Sequence, residues 1–401
     1  MKSIAKNITS ILVISFFLIL KTSFAETRSR AQYPRWLSDA YFGVNVGYIN
    51  YPFGNQHLES GLFADRIAIP APAVRIMLYG RDFSQYLSMQ VTYMRPVWWV
   101  TYNEINGQAN RRYVFMNVAG LTLRPSLPVS PRLTLTSEAG LAIVTRKGFE
   151  FDGIQGIADA NYASVLLGAG VKYRVGQNWD LTFHGVYSPP NNSVKQPHTV
   201  FFSPGFQYNM RPLSNEVVAR NSSTGYIFPK NQIKLGFSSN VLGYGVNDFL
   251  SQGVIPVFWG GKVHVERGLS LSYQRNIFHT KRVFSLDIGV SASLWETREG
   301  STFQTLALYP FFRWTPIRTR TSDFYFFYSV AGPTFISRVI IDDFDTGEKF
   351  TFHDYMGIGS FFGRNRQFNT EIKIGHYSNG NLFPQNDAVK VPLTFAVGYT
   401  F

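Results

Sequence analysis

The chain has 401 residues, with 36 phenylalanines, 22 tyrosines and 34 glycines, no cysteine, and a formal net charge of +13. The absence of cysteine excludes disulfide scaffolds, thiolate metal sites and catalysis by a cysteine nucleophile. Aromatic residues make up 16% of the chain and charged residues another 16%, which is typical of a β-barrel with an apolar outer surface and a polar interior.

The N-terminal segment has the three parts of a secretory signal peptide. Lys2 and Lys6 supply positive charge, residues 11–20 form a short apolar core, and residues 23–25 supply small side chains at the two cleavage-determining positions. We therefore predict a signal peptide over residues 1–25 that is cleaved after Ala25. Because the chain is exported, its positive charge predicts contact with anionic lipid and not with nucleic acid.

Residues 26–210 contain eight strand candidates after a short irregular lead-in, separated by turn-forming residues. Apolar and polar residues often alternate in them, as in a strand with one side facing lipid. The candidates fall near 41–50, 73–80, 85–101, 112–124, 132–146, 162–175, 179–188 and 199–210. Eight strands are the minimum for a closed transmembrane barrel. We therefore predict an antiparallel β-barrel in the outer membrane of a Gram-negative bacterium, with a secreted β-sandwich as the alternative.

Residues 211–230 are polar and lack alternation, which predicts a linker between two halves of the chain. Nine strand candidates follow, whereas a closed bacterial barrel needs an even number. They fall near 231–245, 257–266, 268–278, 283–295, 302–315, 322–337, 353–363, 368–378 and 391–401. We interpret the stretch 231–249 as an extra strand that does not span the membrane. This predicts a linker over 211–256 and a C-terminal barrel over 257–401.

The two halves share local features that indicate an internal duplication. Tyr187-Ser188 in the first half corresponds to Tyr377-Ser378 in the second, and each pair precedes a polar loop and an alternating strand. The all-β chain is therefore predicted to form two tandem eight-stranded barrels or, alternatively, one sixteen-stranded barrel. The alternation pattern does not distinguish these two arrangements.

The last two strand candidates place two reactive side chains on an apolar face. His376 and Ser378 share a face with Ile372 and Ile374, and the final strand alternates strictly up to Phe401. Residues two apart on a strand lie on one face with their Cα atoms roughly 6.5–7 Å apart, so the two side chains can touch. The distribution of short turns and longer loops predicts that the pair lies near the extracellular end, at the depth of the outer leaflet.

His376 and Ser378 are the residue types that a serine esterase requires. The histidine is spaced to act as general base and the serine as nucleophile. The backbone N–H or the side chain of Asn379 is near enough to stabilise an oxyanion, and an acidic or amide group would orient the histidine. Because short motifs of this kind also arise by chance, the alternative is a histidine of the aromatic girdle beside an unrelated serine.

The segment over residues 372–401, IKIGHYSNGNLFPQNDAVKVPLTFAVGYTF, resembles the C-terminal hairpin of the lipid A 3-O-deacylase (PagL) family, also labelled acyloxyacyl hydrolases. The resemblance is specific over about 370–401 and looser back to about 257. It implies an eight-stranded outer-membrane barrel that hydrolyses the ester of the acyl chain at the 3-position of lipid A. It also implies His376 as the base, Ser378 as the nucleophile and Asn379 as an oxyanion contributor.

The chain departs from that family at one catalytic position. The acidic third member of the family's triad follows the histidine by fourteen residues, and this chain has Lys390 there. Asp387 is the nearest acid in the same loop and is our candidate for the third member, with the amide of Asn386 as the alternative. No cofactor and no metal is expected for this reaction.

The corresponding hairpin of the first half differs in the same positions. Val186 stands where the histidine would be, while His184 and Ser188 share the polar face of their strand and are predicted to point into the barrel. We therefore interpret the first half as a non-catalytic copy.

The expected partners are lipopolysaccharide or lipid A as substrate, the lipids of the outer membrane, and the barrel-assembly machinery through the C-terminal strand ending in Phe401. Two other functions stay open at this point. One is a catalytically silent barrel with a structural, adhesive or pore function, and the other is an esterase that acts on phospholipids.

Overall fold

The structure is a computed structural model that describes residues 30–251 and 260–401, without the side chains at 250 and 251. The predicted signal peptide over residues 1–25 lies outside the described residues. Neither α-helix in the described ranges has the length and apolar character that crossing a membrane requires.

The first half forms a closed antiparallel barrel of eight strands with short additional strands at one end. Its strands are β1 (Ala40–Asn50), β2 (Ala64–Ala68), β3 (Pro72–Asp82), β4 (Leu87–Pro96), β5 (Val100–Ile105), β6 (Arg111–Pro128), β7 (Leu133–Lys147), β8 (Phe149–Phe151), β9 (Ile154–Ile157), β10 (Ala160–Arg174), β11 (Trp179–Ser188) and β12 (Thr199–Met210). The barrel order is β1-β3-β4-β6-β7-β10-β11-β12, and it closes where β12 pairs with β1. Strands β2 and β5 continue the sheet from β6, and β8 and β9 form a separate hairpin.

The second half forms another closed eight-stranded barrel. Its strands are β13 (Asn231–Ser239), β14 (Val263–His279), β15 (Phe284–Thr297), β16 (Thr302–Arg318), β17 (Ser322–Ile336), β18 (Ile340–Ile341), β19 (Phe344–Asp345), β20 (Phe350–Phe362), β21 (Phe368–Ser378) and β22 (Val389–Thr400). The barrel order is β13-β14-β15-β16-β17-β20-β21-β22, and β22 pairs with β13 to close it. Helix α1 (Asn215–Ser222) lies between the barrels, and α2 (Gly245–Ser251) lies in the loop after β13.

Two tandem barrels are therefore confirmed, and the alternative of one sixteen-stranded barrel is excluded. The predicted boundary of the second barrel is wrong, because the stretch interpreted as an extra strand is its first strand, β13, which pairs along β22 and β14. The candidate at 257–266, whose residues 257–259 lie outside the described ranges, and the candidate at 268–278 both contribute to one strand, β14. Gly268 does not end this strand but accommodates the ring of Trp295, which a Cβ at position 268 would meet at 2.1 Å. One candidate was thus counted twice, which explains the odd number.

Charged pairs fill the interior of each barrel. Lys234 Nζ lies 2.7 Å from Glu371 Oε1 in the second barrel, and Arg75 Nη2 lies 2.5 Å from Glu138 Oε1 in the first. A cavity inside the second barrel has a volume of about 20 Å³, enough for about one water molecule. Packing of this kind is typical of small barrels whose lumen is closed, and it disfavours a pore function for the second barrel.

The barrels contact each other at the rim that carries the start of β13 and the end of β22, which we call the lower rim. Leu37 and Ala40 of the first half share an apolar cluster with Phe278 and Leu286 of the second. Arg30 Nη1 donates to the backbone oxygen of residue 228 at 3.0 Å and to the Oδ1 atom of residue 276 at 2.9 Å. The segment before β1 therefore fastens the two barrels together at this rim.

Candidate active site

Strands β21 and β22 form the hairpin that carries the predicted catalytic residues, and its loop lies at the opposite, upper rim. On β21, Glu371 and Tyr377 point into the barrel, where they contact Lys234 and Thr305. Because side chains alternate along a strand, His376 and Ser378 lie on the outer wall, meaning the face directed away from the lumen. This orientation agrees with the one that we predicted from the sequence.

His376 is only 4% exposed although it lies on the outer wall. Helix α2 packs against β21, and its Asn247 donates to the backbone oxygen of Val391 at 3.1 Å. Lys390 Nζ lies 2.6 Å from Asp248 Oδ1 of the same helix. Helix α2 thus packs beside the buried histidine and is fastened to β22 at Lys390 and Val391.

Two N–H donors converge on the hydroxyl oxygen of Ser378. Asn386 Nδ2 donates to Ser378 Oγ at 3.0 Å, and the backbone N–H of Gly380 donates to it at 3.2 Å. Both N–H groups bind the serine oxygen itself, and to stabilise the oxyanion of a tetrahedral intermediate they would turn to the substrate's carbonyl oxygen. Gly380 was not predicted for this role, and Asn386 was predicted only as an alternative for the third member. The fold of the loop brings residue 386 back to residue 378, which strand periodicity does not encode.

Asn379, predicted as the oxyanion contributor, is completely buried and fastens the loop. Its backbone N–H donates to Asn386 Oδ1 at 2.9 Å. Its side-chain Nδ2 donates to the backbone oxygens of Thr346 at 3.0 Å and Gln385 at 2.7 Å. Both donor groups of Asn379 are therefore engaged within the loops of the upper rim.

Asp387, predicted as the third member, is also engaged by neighbouring loops. Its Oδ1 atom lies 2.8 Å from Lys262 Nζ. Its Oδ2 atom accepts the backbone N–H of Asp345 at 3.2 Å. These contacts direct the carboxylate toward Lys262 and Asp345.

Asp354 is an acid beside His376 that the sequence analysis did not assign to the site. It is the direct cross-strand partner of His376 in the pairing of β20 with β21, and directly opposed residues have Cβ atoms about 4.5–5.5 Å apart. Tyr355 next to it points into the barrel, so Asp354 shares the outer wall with His376. Its carboxylate accepts the backbone N–H of Ala331. The sequence did contain a signal, because Asp354 interrupts the apolar outer face of its strand.

Lys390 is the partner of His376 on the other side, in the pairing of β21 with β22. His376 is therefore flanked by Asp354 on β20 and by Lys390 on β22. Lys390 places a cation at the position that is acidic in the PagL family, while Asp354, on the other side of His376, supplies a carboxylate.

The corresponding hairpin of the first barrel has the opposite orientation. His184 and Ser188 are buried in the lumen, whereas Phe183 and Tyr187 are exposed on the outer wall. The inward orientation that we predicted for His184 and Ser188 is therefore confirmed.

Comparisons with known proteins agree with the resemblance of the C-terminal hairpin. Residues 261–399 match the family model of the lipid A 3-O-deacylase (PagL). This range contains β14 to β21, all but the last residue of β22, and the residues His376, Ser378 and Asp354. A search of curated proteins found no match. The match and the two closed barrels identify the chain as an outer-membrane β-barrel protein whose second barrel is PagL-like.

Several solved structures align with one half of the chain. A crystal structure of the outer membrane enzyme PagL is 15% identical with a TM-score of 0.31, and the alignment covers 42% of this chain and 99% of that one. Neisserial surface protein A is 18% identical with a TM-score of 0.30, covering 43% and 97%. Ail of Yersinia pestis, solved with a heparin analogue, is 12% identical with a TM-score of 0.29, covering 43% and 99%.

Proposed function

We propose, from the match of the second barrel to the lipid A 3-O-deacylase (PagL) family, that the protein is an outer-membrane serine esterase. Its substrate would be lipopolysaccharide, and the bond hydrolysed would be the acyl ester at the 3-position of lipid A. The observation that carries the proposal is the position of His376 and Ser378 together on the outer wall, with two N–H donors directed at Ser378 Oγ. A lipid substrate in the outer leaflet would approach this wall at Ser378, which is partly exposed, whereas His376 is covered.

The reaction would follow the sequence of steps of a serine esterase. Ser378 Oγ attacks the ester carbonyl carbon and gives its proton to His376. The N–H groups of Gly380 and Asn386 stabilise the negative oxygen of the tetrahedral intermediate. The intermediate expels the 3-oxygen of lipid A, which takes the proton from His376. Water, activated by His376, then hydrolyses the acyl-serine and releases the fatty acid.

In this scheme Asp354 is the positioning residue for His376. A carboxylate beside the imidazole holds it in the correct tautomer and stabilises the imidazolium that forms during attack. Asp354 faces His376 across the strand pair, whereas Asp387 is held by Lys262. We therefore propose Asp354 in place of Asp387 as the third member of the site.

The decisive experiment is mass spectrometry of lipid A from cells that carry the wild-type protein or its Ser378→Ala variant. The wild type is expected to remove one 3-hydroxy acyl chain, and the variant is expected to remove none. Heat modifiability on gels would verify that both proteins form folded barrels. Unchanged lipid A in the presence of folded wild type would contradict the deacylase proposal and favour a catalytically silent barrel.

A phospholipid esterase is the second candidate, because the outer wall below the site exposes apolar side chains, such as the paired Ile372 and Phe395. Such a surface accepts acyl chains of either lipid class. Release of fatty acid from purified phospholipid vesicles, with lipid A left intact, would favour this candidate. Release from lipid A alone would exclude it.

A further inference from the structure

The outer wall of the first barrel carries polar side chains where lipid-facing residues are expected. Tyr93, Asn117, Thr145 and Asn161 lie near the upper ends of β4, β6, β7 and β10, and we call them the polar wall cluster. Their strand neighbours, such as Met116 and Val144, point into the barrel core, so alternation places the cluster on the outside. Lower on the same strands, outward positions are apolar and exposed: Leu121, Leu123, Leu135, Leu141, Val165 and Leu167.

The polar wall cluster contacts the loop that follows Ser378 in the second barrel. Tyr93 Oη donates to the backbone oxygen of Gly380 at 2.8 Å, and Asn117 Nδ2 donates to that of Asn381 at 2.6 Å. Thr145 Oγ1 donates to the backbone oxygen of the next residue, 382, at 3.0 Å. Asn161 donates to the same oxygen and to Thr145 Oγ1. Three successive carbonyl groups of the loop are thus bound by the first barrel.

This contact continues to the proposed nucleophile through side-chain amides. Asn386 Nδ2 donates to Asn381 Oδ1 at 2.8 Å and also to Ser378 Oγ at 3.0 Å. Gly380, whose N–H is the other donor to Ser378, has its carbonyl bound by Tyr93. The residues that the first barrel binds are therefore the residues that arrange both donors around Ser378 Oγ.

The loop has a backbone conformation that requires support. Gly380 and Asn381 have φ angles of 65° and 55°, and the left-handed region is costly for a residue that has a side chain. Asn117 is only 4% exposed, so its amide needs a partner that the loop carbonyl supplies. Polar groups on both sides of this interface satisfy each other.

From this geometry we infer that the first barrel is a positioning domain for the active-site loop of the second barrel. It contributes no catalytic residue, and its polar wall cluster fixes the loop that carries Gly380 and Asn386 at Ser378. This inference rests on the proposed function, because positioning matters to a reaction only if Ser378 is the nucleophile. It assigns a role in the same reaction to the first half, whose corresponding hairpin directs its histidine and serine into the lumen.

The test uses the full chain and compares three variants of the outer wall of β6 and β7. The double variant Asn117→Leu, Thr145→Val removes two donors with side chains that suit a lipid-facing wall, so the barrel is expected to fold. The control is Ser137→Val, which changes an exposed outward position lower on β7. We expect kcat for lipid A deacylation to fall about tenfold or more in the double variant, with KM little changed. The control and Thr145→Ser, which keeps the hydroxyl, should match the wild type.

A second readout does not depend on activity. Amide hydrogen exchange of residues 379–386 in the detergent-solubilised protein should be faster in the double variant than in the wild type and in Ser137→Val. Wild-type kcat in the double variant, with Ser378→Ala inactive, would overturn the positioning role while leaving the proposed function intact. Inactive wild type would instead remove the proposed function. Unchanged exchange would show that the wall does not hold the loop.

Discussion

The two barrels contain the same Tyr-Ser pair at the end of corresponding strands, but with opposite orientation. In the first barrel Tyr187 is 39% exposed on the outer wall and Ser188 lies in the lumen. In the second, Tyr377 lies in the lumen and Ser378 on the outer wall. Because side chains alternate with a period of two residues, a shift of one residue exchanges the two faces of a strand. Similar local sequence therefore does not imply a similar site, since orientation relative to the membrane decides which lipids a serine can reach.

The outer walls differ in a complementary way. The second barrel presents His376 and Ser378, and the first presents the polar wall cluster that binds the adjacent loop. A duplication that began with two equivalent barrels would explain how one copy came to carry the chemistry and the other a supporting surface. The following predictions test this division from the largest expected effect to the smallest.

The largest difference is expected between the two histidines. His376→Gln removes the proposed base and should lower kcat for lipid A deacylation by about 10⁴-fold or more. His184→Gln changes a histidine inside the first barrel and should leave kcat within about a factor of three, because it lies in the lumen away from lipid. Single-turnover assays on the two purified full-length variants would measure this. Equal losses in the two variants would contradict the assignment of catalysis to the second barrel alone.

The second-largest difference is expected between the two candidate acids, Asp354 and Asp387. Asp354→Asn keeps the shape of the side chain and should lower kcat by about 10²- to 10⁴-fold, because an amide does not stabilise the imidazolium. Asp387→Asn loses its ion pair with Lys262, whose lysine side chain is 61% exposed, and should change kcat by less than about tenfold. Measuring kcat as a function of pH in both variants tests this predicted difference. A larger loss in Asp387→Asn would return the third role to the residue predicted from the sequence.

The smallest effect is expected from moving the acid to the other neighbour of His376. In the Asp354→Asn background, Lys390→Glu would place a carboxylate at the position that is acidic in the PagL family, directly opposite His376 on β22. We expect kcat to recover by only about tenfold. Replacing Lys390 also removes its ion pair with Asp248, which orients residue 390. Lys390→Gln in the same background is the control. No recovery would indicate that geometry at residue 390 no longer supports a triad.

Strand positions and the orientation of the site were predictable, because alternation is a local property. The eight candidates of the first half all overlap observed strands, and the face of His376 and Ser378 followed from Ile372 and Ile374. The start of the second barrel was not predictable in the same way. Gly268 resembles a strand break locally, and only its contact with Trp295 across β14 and β15 explains why the strand continues.

The third member and the oxyanion donors depend on contacts between distant segments. Asp354 joins His376 through the register of β20 and β21, and Asn386 reaches Ser378 because the loop folds back. The nearest acid in the sequence, Asp387, is instead paired with Lys262. Distance along the chain is a poor guide here, since neighbouring strands bring residues more than twenty positions apart face to face.

By itself, the sequence determined the β-barrel class, the division into two halves and the outward position of His376 and Ser378, because each depends on alternation with a period of two. The tertiary structure decided which acid stands beside the histidine, which donors surround the serine, and that the first barrel holds the active-site loop. Those features depend on strand register, on loop closure and on the contact between two barrels. None of the three is encoded by local periodicity, because each is set by the free energy of packing between segments far apart in the chain.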